Sequence, residues 1–238
     1  MNKIHFDRII VTCEHGGAEI LEAYKKYFEG HEDLLESYRA YDAGALEHAK
    51  LLAKEFEAPL FYTTQSRTLV DCNRSPDNWD ELFTEVTGEL DEETKEKILN
   101  EYYWPYRQPV ETQIRTWIEK GEPVLHLSIH SFTHNFKGHI RLTDIGLLYD
   151  PERKSELEFC ENWREALVHE NAIPRIDMNE PYAGTDDGFT RYLRKFYSED
   201  QYVGLELEFN RDWVTGKRAE YWPEIQESNV RALQQILS

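Results

Sequence analysis

The sequence predicts an α/β protein with a largely parallel central sheet covered by helices. Two observations carry this. Short apolar segments alternate with helical patterns along the chain, the order that builds βαβ units. The first such segment, Arg8-Ile-Ile-Val-Thr-Cys13, also lacks polar alternation, as expected of a strand buried on both faces.

The elements follow in order. Residues 41–56 place Ala45, Leu46, Ala49, Leu52 and Ala53 at helical spacing, and Ala58–Thr63 reads as a second strand. Residues 81–120 form a long, charged helical pattern, broken or started near Pro105 and Pro109. Pro123–His130 is the clearest strand: Leu125, Leu127 and Ile129 point one way, and His126, Ser128 and His130 the other. Ile145–Tyr149 is a further strand, and Ser155–Glu170 a helix with Ser155 as its expected N-cap. Asp186–Tyr197 reads as a helix after a loop. Tyr202–Phe209 is a late strand with Glu206 and Glu208 on one face, and a closing helix starts at Glu220, with Pro223 in its first turn. Without a Ser/Gly/Pro-rich linker or an internal repeat, one domain over residues 1–238 is expected.

Composition narrows the function. The chain has 27 Lys and Arg against 46 Asp and Glu in 238 residues, a formal charge of −19. Such a surface repels nucleic-acid backbones and anionic membranes, and neither is expected as a partner. An anionic small molecule stays open, because a local Arg cluster can override the global field. The 40% hydrophobic and 13% aromatic content supplies a core and argues against disorder. Cys13, Cys72 and Cys160 form no CxxC pair, so a disulfide framework is not expected. The start of the chain has no apolar leader and no segment has the length of a membrane span, so a cytoplasmic protein is expected.

Sites in open α/β sheets lie at the C-terminal ends of strands. His15 follows the first strand, His130 ends the central one, and Glu208 lies near the end of the late one, while Asp42 precedes a helix. Two His and one carboxylate suit Zn²⁺ and leave a coordination position open. Glu208 then sits where it can take a proton from water. Each residue also has an ordinary reading: a hydrogen-bonded His after a strand, Asp42 as a helix N-cap, Glu206 and Glu208 as solvated groups on an edge strand. Arg67 and Arg74, with Asp71 and Asn73 between them, read either as surface ion pairs or as a clamp for a substrate carboxylate. The loop Asn179–Gly188 holds Tyr182 and could cover a pocket.

Val11-Thr-Cys-Glu-His-Gly-Gly17, Asp42-Ala-Gly-Ala45, Ser66-Arg67 with Asp71-Cys-Asn-Arg74, His126–Thr133, Asn179-Glu-Pro-Tyr182 and Glu208-Phe-Asn-Arg211 occur in the order seen in N-formylglutamate amidohydrolases, which the chain resembles from about residue 8 to about 213. The resemblance implies a three-layer phosphorylase/hydrolase-like α/β fold related to zinc-dependent exopeptidases. It implies hydrolysis of the amide between a formyl group and glutamate nitrogen. It further implies His15, Asp42 and His130 as zinc ligands, with Glu208 as the catalytic carboxylate. Arg67, Asn73, Arg74 and Tyr182 are implied around the substrate, Arg67 also taking part in catalysis. Glu14, Glu19 and Glu206 are alternatives for the acidic roles. A peptidoglycan-type or peptide amidase on the same zinc site, and a non-catalytic acidic binding protein on the same fold, are the competing expectations.

Overall fold

The computed structural model describes residues 6–238; the N-terminal start on which the leader expectation rests, residues 1–5, lies outside them. Six strands form the main sheet: β1 (Arg8–Cys13), β2 (Leu60–Tyr62), β3 (Val124–Phe132), β6 (Ile145–Leu148), β7 (Ile176–Met178) and β8 (Tyr202–Asn210), in the order β2-β1-β3-β8-β6-β7. All neighbours run parallel except β6 and β8. A hairpin of β4 (Asn135–Phe136) and β5 (His139–Ile140) stands apart from it.

Helices cover both faces. Helix α1 (Ala45–Glu55) and two longer ones, Lys154–Glu170 and Trp222–Leu237, lie on one side. Their Leu52, Trp163 and Leu233 pack in one cluster with Leu125, Leu127, Ile129, Leu205 and Leu207 of the sheet. The predicted apolar face of β3 is thus its core face, and each of these wholly buried side chains contributes roughly 1.5–3 kcal/mol. On the other side Ile98, Tyr103, Val110, Ile114 and Phe189 pack with Ile10, Val124 and Tyr202. The first five come from α2 (Glu92–Ile98), the π turn Leu99–Tyr103, α3 (Trp104–Glu119) and a short helix, Phe189–Arg194. Lys154–Glu170 is α4, Phe189–Arg194 is α5 and Trp222–Leu237 is α6.

Several boundaries differ from the sequence expectation. The long pattern over residues 81–120 is not one helix: Asp91 caps α2 by accepting from Thr94 N at 2.8 Å, and a π turn over Leu99–Tyr103 joins α2 to α3. Pro105 follows the π turn directly, as the second residue of α3, and Pro109 is inside the helix. Ser155 is not the cap of α4. Arg153 holds that position, and Ser155 Oγ donates to the Glu199 carbonyl at 3.0 Å. The helix expected over Asp186–Tyr197 covers only Phe189–Arg194, because the Asp187 carboxylate accepts from Ser75 and Asn78 and holds its segment as a loop. All three cysteines are free and buried, and burial pushes each thiol pKa up. Among the described residues no helix is long and apolar enough to cross a membrane.

The polar face of β3 leads toward the strand ends. His126 bonds Thr12 Oγ1 and the Tyr202 hydroxyl, both at 2.7 Å, which satisfies a wholly buried imidazole. Further along, the parallel register sets Ser128 beside Glu206 and His130 beside Glu208.

Candidate active site

Three strand ends and one turn build the site. His15 lies in the turn just past β1, and its carbonyl accepts the Asp42 N–H at 2.9 Å, which ties the turn before α1 to the end of β1. That turn depends on Gly44, at φ +81°, where a Cβ would press on the Val214 side chain at 2.7 Å. The N-cap reading of Asp42 is overturned: Gly44 occupies the cap position without a side-chain cap. The Asp42 carboxylate turns to the two histidines instead. His15 Nδ1 lies 3.2 Å and His130 Nδ1 2.9 Å from the same oxygen, Asp42 Oδ2. One ligand atom from each of His15, Asp42 and His130 lies within 4.8 Å of the others.

The outer nitrogens are also held. His15 Nε2 lies 2.7 Å from Asp71 Oδ1. His130 Nε2 lies 2.9 Å from Ser128 Oγ and 3.2 Å from Glu14 Oε2. Glu14 accepts in turn from Ser128 Oγ at 2.7 Å and from the Tyr106 hydroxyl at 2.8 Å. Each imidazole thus backs onto a carboxylate and turns Nδ1 inward. That is how proteins fix a histidine's tautomer and aim it at a cation. The donor set, two imidazoles and a carboxylate, is one that fits zinc.

Burial disfavours charge here, and the pairing outweighs it for most groups. Burial alone would raise the Asp42 and Asp71 carboxyls, yet His15, His130 and Arg67 hold Asp42 well below the usual range, and Arg67 and His15 do so for Asp71. His130 is raised, since its bonds to Asp42 and Glu14 outweigh desolvation. Glu208 is the exception. Desolvation, reinforced by Asp42 and Glu206, pushes its carboxyl up to about 8. Its Oε2 is buried with no partner among the described residues. A cation beside it would oppose that shift, because positive charge favours the carboxylate.

A pocket of about 150 Å³ is lined by His15, Asp42 and His130 together with Glu208, Arg67, Asn73, Arg74 and Tyr182. The structure therefore gathers every site residue singled out from the sequence. The arginines are not free forks. Arg67 spends Nε (3.2 Å) and Nη2 (2.8 Å) on one oxygen of Asp71, and its Nη1 lies 3.6 Å from Asp42 Oδ1. Arg74 pairs with Glu81 at 3.1 Å and donates to the Asp187 carbonyl. Asn73 Oδ1 accepts from Phe189 N at 2.8 Å, and Tyr182 accepts from Arg141 at 2.9 Å. Gly146 lets the loop carrying Tyr182 cross the sheet here: a Cβ would strike the Glu180 carbonyl.

Of the alternatives, Glu14 backs His130 from behind, Glu206 lines the pocket and accepts from Thr190, and Glu19 bonds Thr64 away from the site. Asp71, Ser128, Tyr106 and Arg107 were not singled out from the sequence as site residues. The alternation of Ser128 with His126 and His130 was a signal for one of them. Nothing local marks Tyr106 or Arg107. The buried Arg107 guanidinium stacks 3.6 Å from the Phe189 ring centre and donates to the Cys72 and Arg74 carbonyls, bracing the segment that carries Asp71, Asn73 and Arg74.

Imidazoles and carboxylates thus converge at the C-terminal ends of adjacent parallel strands, beside a loop that carries Tyr182. The family model for N-formylglutamate amidohydrolase matches residues 7–215. The chain belongs to that family, whose members are amide hydrolases. Its structure is similar to that of the gene product Atu2144 from Agrobacterium tumefaciens, at TM-score 0.75 and 27% identity, covering 98% of this chain and 92% of that one. It is also similar to the N-formylglutamate amidohydrolase from Ralstonia eutropha JMP134, at TM-score 0.71 and 16% identity, covering 99% and 94%. No curated protein matches the chain in sequence.

Proposed function

We propose that the chain is a zinc-dependent amidohydrolase that cleaves the amide of an N-formyl or N-acyl amino acid such as N-formylglutamate. The observation that carries this reading is the convergence of His15, Asp42 and His130 within 4.8 Å, beside the unpartnered Glu208 oxygen. His15, Asp42 and His130 would hold the ion, with Asp71 and Glu14 fixing the two imidazoles from behind. Zinc bound there supplies Lewis acidity to the acyl carbonyl and to the attacking water.

The chain's own groups do the rest. Glu208 takes the proton from water as the new C–O bond forms, then delivers it to the departing nitrogen as the C–N bond breaks. The products are the free acid and the amino acid. Arg67 presents its remaining N–H groups toward the oxyanion. Arg74, Asn73 and Tyr182 position the substrate carboxylate, which fixes the scissile bond in place. A small-molecule substrate suits a cavity of about 150 Å³.

Two measurements test this. Metal analysis of the purified protein is expected to find zinc near one equivalent, and the zinc-loaded protein to hydrolyse N-formylglutamate. A protein that binds no divalent cation and behaves identically after His130→Ala refutes it.

A further inference from the structure

Two cavities meet at the site. The inner one, about 150 Å³, contains Glu208, Asn73 and Glu206 and ends against Leu148 and Ala183. The outer one is an open groove of about 780 Å³ past Tyr38, Thr84, Phe136 and Lys137. The two share Asp42, Arg67, Arg74, Ser131 and Tyr182, so the groove begins where the candidate ion and the arginines end.

An amide has two sides, and the cavities divide them. Under the reading proposed above, the departing nitrogen and the substrate carboxylate belong with Glu208 and Asn73, which line the inner cavity alone, and with Arg74 at its mouth. The acyl group then projects into the groove. A formyl group places a single carbon and oxygen there and leaves nearly all of that volume unused.

The groove's chemistry describes what would fill it. One rim is aromatic: Tyr38, 37% exposed, meets Phe136 edge-on at 6.4 Å between ring centres. The Arg141 guanidinium lies 4.5 Å from the Phe136 ring centre and 4.8 Å from that of Tyr182. It also donates to the Tyr182 hydroxyl, so the exposed rings are held in place before a substrate arrives. The opposite wall pairs Arg39 with Glu85 and Arg74 with Glu81, and Asp80, also on the groove, disfavours an anionic acyl group. The rings offer faces and edges to an aromatic one, with the Lys137 ammonium 5.3 Å from the Phe136 ring centre.

We infer that the substrate's acyl group is larger than formyl and that the groove takes an aromatic acyl group, resting on the amidohydrolase reading. The reaction is the same hydrolysis: water adds to the acyl carbon, the C–N bond breaks, the nitrogen takes the proton, and an aromatic acid leaves through the groove.

The test compares N-formyl, N-acetyl and N-benzoyl derivatives across a panel of amino acids including glutamate, using the zinc-loaded protein and following kcat/KM. The expected result is at least tenfold higher kcat/KM for benzoyl than for formyl on the same amino acid. Tyr38→Ala is expected to reduce the benzoyl-to-formyl ratio about two- to tenfold, the range of one aromatic contact. Cleavage of formyl derivatives alone overturns this inference and leaves the amidohydrolase reading standing. Cleavage of none of them by protein that holds zinc overturns both. A benzoyl preference unmoved by Tyr38→Ala removes the aromatic rim from the explanation and overturns the groove assignment.

Discussion

Asp71 Oδ1 lies 2.7 Å from His15 Nε2, while the other oxygen of the same carboxylate accepts two N–H groups from Arg67. One buried side chain therefore orients a candidate ligand and the arginine nearest to it. Glu14 does the equivalent for His130 with help from Ser128 and Tyr106. The two imidazoles arrive from different strand ends, yet both point Nδ1 at Asp42.

Removing the charge on Asp71 should weaken cation binding without dismantling the fold. Asp71→Asn keeps the shape and one acceptor. It is expected to lower zinc affinity about 10- to 100-fold, the usual cost of losing a carboxylate behind a ligand histidine. Competition with a chromogenic chelator measures this independently of turnover. Unchanged affinity would mean that Asp71 serves only Arg67.

Glu208→Gln separates catalysis from assembly. The substitution keeps volume and removes the group assigned to proton transfer, so kcat should fall about 10²- to 10⁴-fold. Zinc content should stay at the wild-type level, because Glu208 lies outside the three converging donors. Thermal stability should hold or rise, since a buried acid with an unpartnered oxygen is replaced by a neutral amide. A variant that retains full kcat would remove Glu208 from the mechanism.

Arg67→Lys probes geometry at constant charge. Lysine cannot reproduce two N–H groups on one Asp71 oxygen while directing a third toward Asp42. A loss of at least tenfold in kcat/KM is expected, carried mainly by kcat if Arg67 serves the oxyanion and by KM if it serves the substrate carboxylate. Steady-state kinetics distinguish these, and wild-type values for both parameters would exclude either role.

The fold was largely legible because its signals are local. The alternation of Leu125, Leu127 and Ile129 with His126, Ser128 and His130 gave both the strand and its two faces, one for the core and one for chemistry. The long helical pattern misled because the charged stretches on either side hid a break: Thr84-Glu-Val-Thr-Gly88 is built mostly of poor helix formers, and the chain turns there. The residues singled out for the site all end a strand or sit in a motif with unusual polar content. The residues behind them were harder to see. Tyr106 reaches Glu14 across 92 positions of sequence, and Arg107 reaches the Cys72 carbonyl across 35, so only tertiary packing gives either a role. The engagement of Arg67 with Asp71 and of Arg74 with Glu81 is local by contrast, and it is the ion-pair reading that the sequence already offered.

His48 should set part of the acid limit of stability. It is wholly buried on α1 against Phe209 and Trp222, and neither ring nitrogen has a partner among the described residues. Desolvation lowers its pKa from 6.5 to about 3. The folded state thus binds its proton less readily than the unfolded state does. Stability from this group is complete above the unfolded pKa and declines as pH falls below 6.5 toward 3, by up to about 1.4 kcal/mol per pH unit. Asp42 and Asp71, held low in the fold, also lose stability in acid, but they are common to wild type and a His48 variant and cancel in the difference. Urea unfolding of wild type and His48→Leu at pH 7, 5.5 and 4.5 reads that difference directly. The wild type is expected to lose ground against the variant at each step down, since leucine fills the site without a proton to exclude. Parallel curves would mean that His48 finds a partner or protonates in place, and would refute its burial as a neutral ring.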